Sequence, residues 1–159
     1  MKISIRIPTQ KLDLLDNTGK LLRCYSISTA ANGAGERPGS YCTPRGKHII
    51  RAKIGAGQPE NTVFVGRRPT GEIYTPELGA KFPLRDWILT RILWLSGCEV
   101  GFNRLGNNDT MRRYIYIHGT PDSVPLGIPD SHGCIRMRND DLVELFDIVP
   151  AGTAVEIIE

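Results

Sequence analysis

The chain has little that would tie it to a metal, a nucleic acid or a bilayer. Its four cysteines, Cys24, Cys42, Cys98 and Cys134, form no C-x-x-C pair and no other metal-ligand spacing. No run of five basic residues occurs and the formal charge is only +3, so no nucleic-acid or membrane-surface patch is expected. No apolar stretch approaches the length needed to span a membrane. The opening run Met1-Lys2-Ile3-Ser4-Ile5-Arg6-Ile7 alternates apolar and polar, without the apolar core and small-residue cleavage site of a secretory signal. As a whole gene product the chain is therefore expected in the cytoplasm; if a signal has been trimmed away, in the periplasm. Internal repeats, low-complexity tails and a second domain are also lacking. One domain over residues 1–159 is expected, large enough to bury a core without staples.

What is present reads as mainly β. Residues 3 to 7 alternate as a strand, Lys11 to Leu15 pair with it, Asp16 to Lys20 carry turn chemistry, and Leu21 to Ser28 form a third strand. Residues 30 to 46 read as a surface loop and His48 to Ala56 as a strand in which His48 is only a polar strand residue. Residues 66 to 86, with three prolines and three glycines, read as a long irregular loop bordering a substrate groove, with Arg67 or Tyr74 near the substrate. Trp87 to Leu95 suits either a helix by length or a buried strand by its β-branched and aromatic content. Arg112 to His118 reads as a strand delivering His118 at its end. Asn139-Asp140-Asp141 opens the clearest helix: Asn139 caps it, the aspartates suit its positive end, and Leu142, Leu145, Phe146 and Val149 recur at helical spacing. Ala154 to Ile158 closes as a strand. Cys24 and Cys98 are read as small buried hydrophobes and Cys42 as the more exposed.

The chemistry gathers in Ile117-His118-Gly119-Thr120 and Ser131-His132-Gly133-Cys134-Ile135-Arg136-Met137, which hold two of the three histidines. A thiol attacks as thiolate, and a free cysteine with a pKa near ~8.5 is mostly protonated at neutral pH. A base beside Cys134 is needed, and either His118 or His132 could take the proton. Gly133 removes a side chain where a substrate carbonyl would approach. Gly119 leaves its carbonyl open to an imidazole N–H, whose tautomer it would fix. The histidines and Cys134 are also competent zinc ligands, but His-x-Cys supplies only part of a zinc motif and no fourth ligand suggests itself. In an extended segment Cys134, Arg136 and Arg138 share a face, so an arginine there could fork onto a substrate carboxylate and favour the thiolate.

Tyr114-Ile115-Tyr116-Ile117-His118-Gly119-Thr120 followed by Ser131-His132-Gly133-Cys134-Ile135-Arg136-Met137 resembles the signature of the L,D-transpeptidase, or YkuD, family. Thr43-Pro44-Arg45-Gly46-Lys47 resembles that family's Thr-Pro-x-Gly segment, and Gly152-Thr153-x-Val155-x-Ile157 its closing strand. The resemblance implies a β-sandwich of mixed sheets with one main helix in the carboxyl-terminal half. It implies Cys134 as nucleophile, His118 as base, the Gly119 carbonyl as its orienter and His132 as a second imidazole near the sulfur. Gly133, Ser131 and Arg136 are assigned to oxyanion or substrate binding. The implied partner is a peptidoglycan stem tetrapeptide, with no nucleic acid, membrane, metal or organic cofactor. Cys134 would attack the bond from the L-centre of diaminopimelate to D-alanine, leaving a thioester. Water would then give an L,D-carboxypeptidase of cytoplasmic wall recycling, the outcome expected from the missing signal; an amine would give 3-3 cross-links or protein anchoring. A catalytically dead muropeptide binder is the alternative from another class.

Overall fold

The computed structural model describes residues 1–159. The alternation at the amino end becomes β1 (Lys2–Arg6), which pairs antiparallel with β2 (Lys11–Leu15) so that Ile3 lies against Leu14 and Ile5 against Leu12. All four are fully buried, and the intervening polar residues face outward, as a period of two requires. The chain continues through β3 (Leu21–Ser28), β4 (Gly46–Ile54), β5 (Thr62–Val65), β6 (Arg68–Ile73), α1 (Pro76–Lys81), β7 (Ile88–Gly97), β8 (Tyr116–Gly119), β9 (Ile135–Met137), α2 (Asn139–Ile148) and β10 (Ala154–Ile158).

The strands lie in the order β4-β10-β1-β2-β3-β9-β8-β7-β5-β6, and β4 also pairs with β7. That extra pairing joins the expected sandwich into a closed ring, with the β5–β6 hairpin extending beyond it. The β1–β10 and β8–β9 pairs are parallel and the rest antiparallel, so the sheet is mixed. One main core, drawn from Ile5, Leu14, Ile27, Leu95, Ile117 and Ile135 among others, also takes in Leu142, Leu145 and Phe146 of α2. The mainly-β class and the main helix are as expected from the sequence, and Trp87 to Leu95, open between helix and strand on its residues and tipped to strand by the family likeness, is strand β7.

Several expectations are corrected. Residues 66 to 86 are not one irregular loop: they hold β6 and α1. Pro69 is tolerated because β6 is an edge strand. Pro76 sits in the first turn of α1, behind Thr75, whose Oγ1 accepts from the Leu78 N–H at 3.2 Å. The short strand β5 was not anticipated. The strand before His118 begins only at Tyr116, because Met111–Arg113 form a 3-10 turn that ends on Tyr114 in the left-handed region. Cys24 is exposed, since it lies on the outer face opposite buried Tyr25, and Cys98 is exposed just past the end of β7; Cys42 is the half-buried one.

Asn139 does not cap α2. Arg138 holds the cap position without a side-chain bond, while the Asn139 side chain turns inward and is buried. Its Nδ2 donates to the Thr120 carbonyl at 3.0 Å and to Asn61 Oδ1 at 3.1 Å, and its Oδ1 accepts from Thr90 Oγ1 at 2.7 Å. Thr90 sits at φ +76, in a register shift of β7 between the pairs Leu89–Gly119 and Ile92–His118. A β-branched residue in the left-handed region is strained, and here the buried amide network holds it.

Replacing Asn139 by alanine is expected to leave the Thr120 carbonyl without its side-chain donor and the Thr90 hydroxyl proton without its acceptor, although Thr90 Oγ1 still accepts the Asn61 N–H, at a cost of about 1–3 kcal/mol. Denaturant unfolding checks this, and an unchanged midpoint would refute the network's role. His48 is buried between the Gly46 carbonyl (3.0 Å) and Thr110 Oγ1 (2.9 Å), and burial lowers its pKa from 6.5 to about 4. Between those values the unfolded chain binds a proton that the folded chain refuses. Stability is therefore full above pH 6.5 and falls as the pH drops toward 4, by up to ~1.4 kcal/mol per unit for this group. Urea titrations across that window should show the slope, and His48→Gln should make it shallower, with the remainder coming from His118, which burial also lowers; an equal slope in both proteins would exclude His48 as a source.

Candidate active site

The parallel pairing of β8 with β9 sets Ile117 beside Ile135 and His118 beside Arg136. The two isoleucines are fully buried in the core. Because side chains alternate across a strand, Tyr116 and His118 turn to the other face together with Arg136 and Cys134. There they line one cavity of about 440 Å³ with Ser131 and His132.

The turn that delivers the sulfur is built by hydroxyls. Ser131 Oγ donates to the Cys134 carbonyl at 2.6 Å and accepts the Gly133 N–H at 3.2 Å. Thr43 Oγ1 donates to the Gly133 carbonyl at 2.9 Å and accepts the Ala30 N–H at 3.0 Å. The threonine of the Thr-Pro-x-Gly segment is thus a clamp on the cysteine turn. Gly133 has φ +134, and a Cβ there would press on Ile115 Cδ1 at 3.2 Å and the Cys42 carbonyl at 3.3 Å. Only glycine meets both demands without strain.

His118 is 1% exposed, and its Nδ1 lies 2.6 Å from the Gly119 carbonyl. A carbonyl only accepts, so Nδ1 carries the proton and Nε2 keeps its lone pair. Gly119 has to be glycine because a Cβ would run into Asn139 Oδ1 and the Leu89 carbonyl. The network behind α2 therefore packs directly against the residue that orients the imidazole.

Burial pulls the His118 pKa below its ordinary value, against the opposing bond to Gly119. The Cys134 thiol is pushed up to about 12, again chiefly by burial, with the Tyr116 N–H pulling the other way. That N–H donates to Sγ at 3.3 Å, and the thiol itself donates to the Tyr114 carbonyl at 3.4 Å. At neutral pH the resting pair is thus a thiol and an uncharged imidazole, and no hydrogen bond joins Sγ to either histidine ring.

The remaining expected residues are placed as follows. His132 stands at the cavity rim, its side chain 67% exposed, with Nδ1 4.0 Å from Asp86 Oδ2. Arg136 lines the cavity, but its fork is occupied: Nη1 meets Asp130 Oδ2 at 3.0 Å and Nη2 meets Asp86 Oδ1 at 3.4 Å. The Gly133 N–H donates to the Ser131 hydroxyl, which itself donates to the Cys134 carbonyl, so both groups are engaged within the turn. The Cys134 N–H carries no backbone hydrogen bond. Arg138 leaves the strand face at the start of α2 and braces the carbonyls of Pro121 and Asp122. Arg67 lines the cavity, whereas Tyr74 packs edge-on to Trp87 at 5.0 Å between ring centres, away from the cavity lining. No three His, Cys, Asp or Glu side chains converge as a metal-holding group.

Asp86, Arg113, Tyr114 and Tyr116 also line the cavity. Arg113 is half-buried, donating to the carbonyls of Gly35 at 3.0 Å and Cys42 at 2.7 Å. Nothing in the spacing marks Asp86 or Arg113; only their proximity to the cluster after folding reveals them. Tyr116 could have been found, since it lies two positions before His118 and shares its face.

A family model described as the L,D-transpeptidase catalytic domain, YkuD, matches residues 1–157. YbiS of Escherichia coli is 47% identical over 129 residues, covering 75% of this chain and 41% of YbiS. YqjB of Bacillus subtilis is 42% identical over 146 residues, covering 92% of this chain and 64% of YqjB. Both are named L,D-transpeptidases, and the chain spans less than two thirds of the length of either. Among solved structures, the L,D-transpeptidase LdtMt1 in complex with imipenem superposes with a TM-score of 0.56 at 20% identity, over 98% of this chain and 57% of that one. At that identity the superposition speaks for the fold. With the family match running from β1 into β10 and taking in the whole histidine and cysteine cluster, the chain belongs to the L,D-transpeptidase (YkuD) family.

Proposed function

We propose that this chain is a cysteine acyltransferase that opens the bond between the L-centre of diaminopimelate and D-alanine in a peptidoglycan stem tetrapeptide. The observation that carries the reading is the placement of Cys134 and a tautomer-fixed His118 on one face of β8 and β9, lining one cavity. On attack, Sγ–H leaves the Tyr114 carbonyl for His118 Nε2 as the S–C bond forms. The oxyanion falls to the Cys134 N–H, the donor of the turn that is not already spent. Collapse of the tetrahedral adduct breaks the C–N bond, the D-alanine amine takes the proton from His118, and a thioester remains.

What resolves the thioester is a choice between an amine and water. A second hollow, lined by Ala31, Asn32, Tyr41, Ser131 and His132, adjoins the cavity across the shared Ser131 and His132. A donor stem on one side and an acceptor on the other suit transfer to an amine, giving a cross-link or an anchored protein. The exposed rim at His132 also admits water, which gives an L,D-carboxypeptidase trimming tetrapeptides to tripeptides, the chemistry of cytoplasmic wall recycling.

Incubation with a disaccharide tetrapeptide, with and without a diamino acceptor, should release D-alanine by mass spectrometry; a joined product means transfer and tripeptide alone means hydrolysis. Cys134→Ala should lower release by on the order of 10³-fold or more, and imipenem, which LdtMt1 binds, should add its mass to the wild type alone. An active Cys134→Ala protein would refute the reading.

The neutral resting pair also predicts the pH profile. The rate of D-alanine release should show no inflection near ~8.5, where an ordinary free thiol titrates. It should fall only below pH 6.5, as His118 takes a proton, because burial lowers that group. An inflection near the ordinary thiol value would show instead that the free protein attacks as a resting thiolate.

A further inference from the structure

Three arginines line the cavity, Arg67, Arg113 and Arg136, and two of them are spoken for. Arg136 is paired with Asp130 and Asp86. Arg113 gives its guanidinium to the Gly35 and Cys42 carbonyls and to Ser40 Oγ at 3.3 Å. Arg67 has no carboxylate within ion-pair reach and makes a single hydrogen bond, from Nη1 to the Tyr116 hydroxyl at 3.0 Å. Its Nε and Nη2 are unspent.

The chain holds this cation in place by unusual means. Val65 pairs with Arg68, so Gly66 and Arg67 form the two-residue loop between β5 and β6 with φ +56 and +64. Such a loop needs positive φ at both positions and favours asparagine or glycine, yet arginine stands at the second. Its guanidinium carbon lies 4.6 Å from the Trp94 ring centre and 4.9 Å from that of Tyr114. Tyr114 is itself a non-glycine residue at φ +56. Two backbone-strained residues thus converge on one another at the wall of the cavity, the pattern of strain held at working sites. Stacking on Trp94 and Tyr114 fixes the plane of a fork whose other donors match a carboxylate.

We propose that Arg67, seated on Trp94 and Tyr114, is the subsite that binds a substrate carboxylate beside the reacting carbonyl. This rests on the stem-processing reading above. A tetrapeptide offers two such groups near the scissile bond: the side-chain carboxylate of the diamino acid and the carboxylate of the departing D-alanine. Both share the chemistry Arg67 can read, and a neutral amide in the same place would accept only weakly from it.

The test compares three tetrapeptides, the parent, one amidated on the diamino side chain and one amidated on the terminal D-residue, with wild type, Arg67→Gln and Arg67→Lys. Release of the terminal D-residue gives kcat/KM for each. The wild type should prefer the parent over one of the amidated forms by roughly ten- to a hundredfold, as expected for a charge-assisted fork. Arg67→Gln should erase that preference by losing activity on the parent while changing little on the amidated form, and Arg67→Lys should restore it only in part. The amidated form whose penalty disappears names the source of the carboxylate. A wild type indifferent to both amidations, or a preference that survives Arg67→Gln, would overturn the proposal. Release of the D-residue from the parent by wild type keeps that failure separate from failure of the enzymatic reading, which would show as no release from any tetrapeptide. Partial misfolding of Arg67→Gln would lower the rates on all three substrates alike without altering their ratio, so the ratio carries the test, and its survival in Arg67→Gln counts against the proposal.

Discussion

The site depends on the register of two short parallel strands. With Ile117 against Ile135 in the core, His118 and the approach to Cys134 are forced to the opposite face and into one cavity. A slip of one residue in either strand would send its reactive side chain into the core and its isoleucine into the cavity. The hydrophobic core therefore does more than stabilise the fold here. It sets which face the imidazole and the thiol occupy, because burying Ile117 and Ile135 is favourable in this register alone.

Register places the groups without fixing their orientation, and that task falls to buried polar contacts from distant parts of the chain. Thr43 holds the Gly133 carbonyl from ninety positions away, and Asn139 packs on Gly119, whose carbonyl holds His118. A buried polar network is costly unless every member is satisfied, and the strained Thr90 adds to the cost. The gain is an imidazole with one tautomer and a cysteine turn whose glycine can be nothing else. The order of causes runs from core packing, through register, to these clamps and then to chemistry.

Much of this was legible in the chain. Period-two alternation marks β1 and β2, and the apolar spacing after Asn139 marks α2, because both elements bury one face against a common core. The cluster itself was legible from the local patterns His-Gly and Ser-His-Gly-Cys. What escaped was decided by contacts between segments far apart in sequence. Asn139 looks like a helix cap, and becomes an interior strut only when Thr90, Asn61 and Thr120 are folded around it. Arg136 looks like a free cation beside the thiol until Asp86 and Asp130 close on it. The prolines of residues 66 to 86 look like breaks, yet one lies on a sheet edge and another opens a helix, positions where a missing N–H costs nothing.

Burial of the reacting pair has an electrostatic consequence that ties these points together. Removing water raises the thiol and lowers the imidazole, so both are neutral at rest. A resting thiolate–imidazolium pair would place two charges where burial disfavours both. On the proposed mechanism, the neutral arrangement would create charge only as the proton crosses and the S–C bond forms, where a fixed dipole such as the Cys134 N–H acts at short range and low effective dielectric. The acidic partners of Arg136 fit the same scheme. With its charge compensated by Asp86 and Asp130, that arginine lends little support to a resting thiolate, so the proposed attack would wait on a substrate carbonyl arriving where the oxyanion can be held.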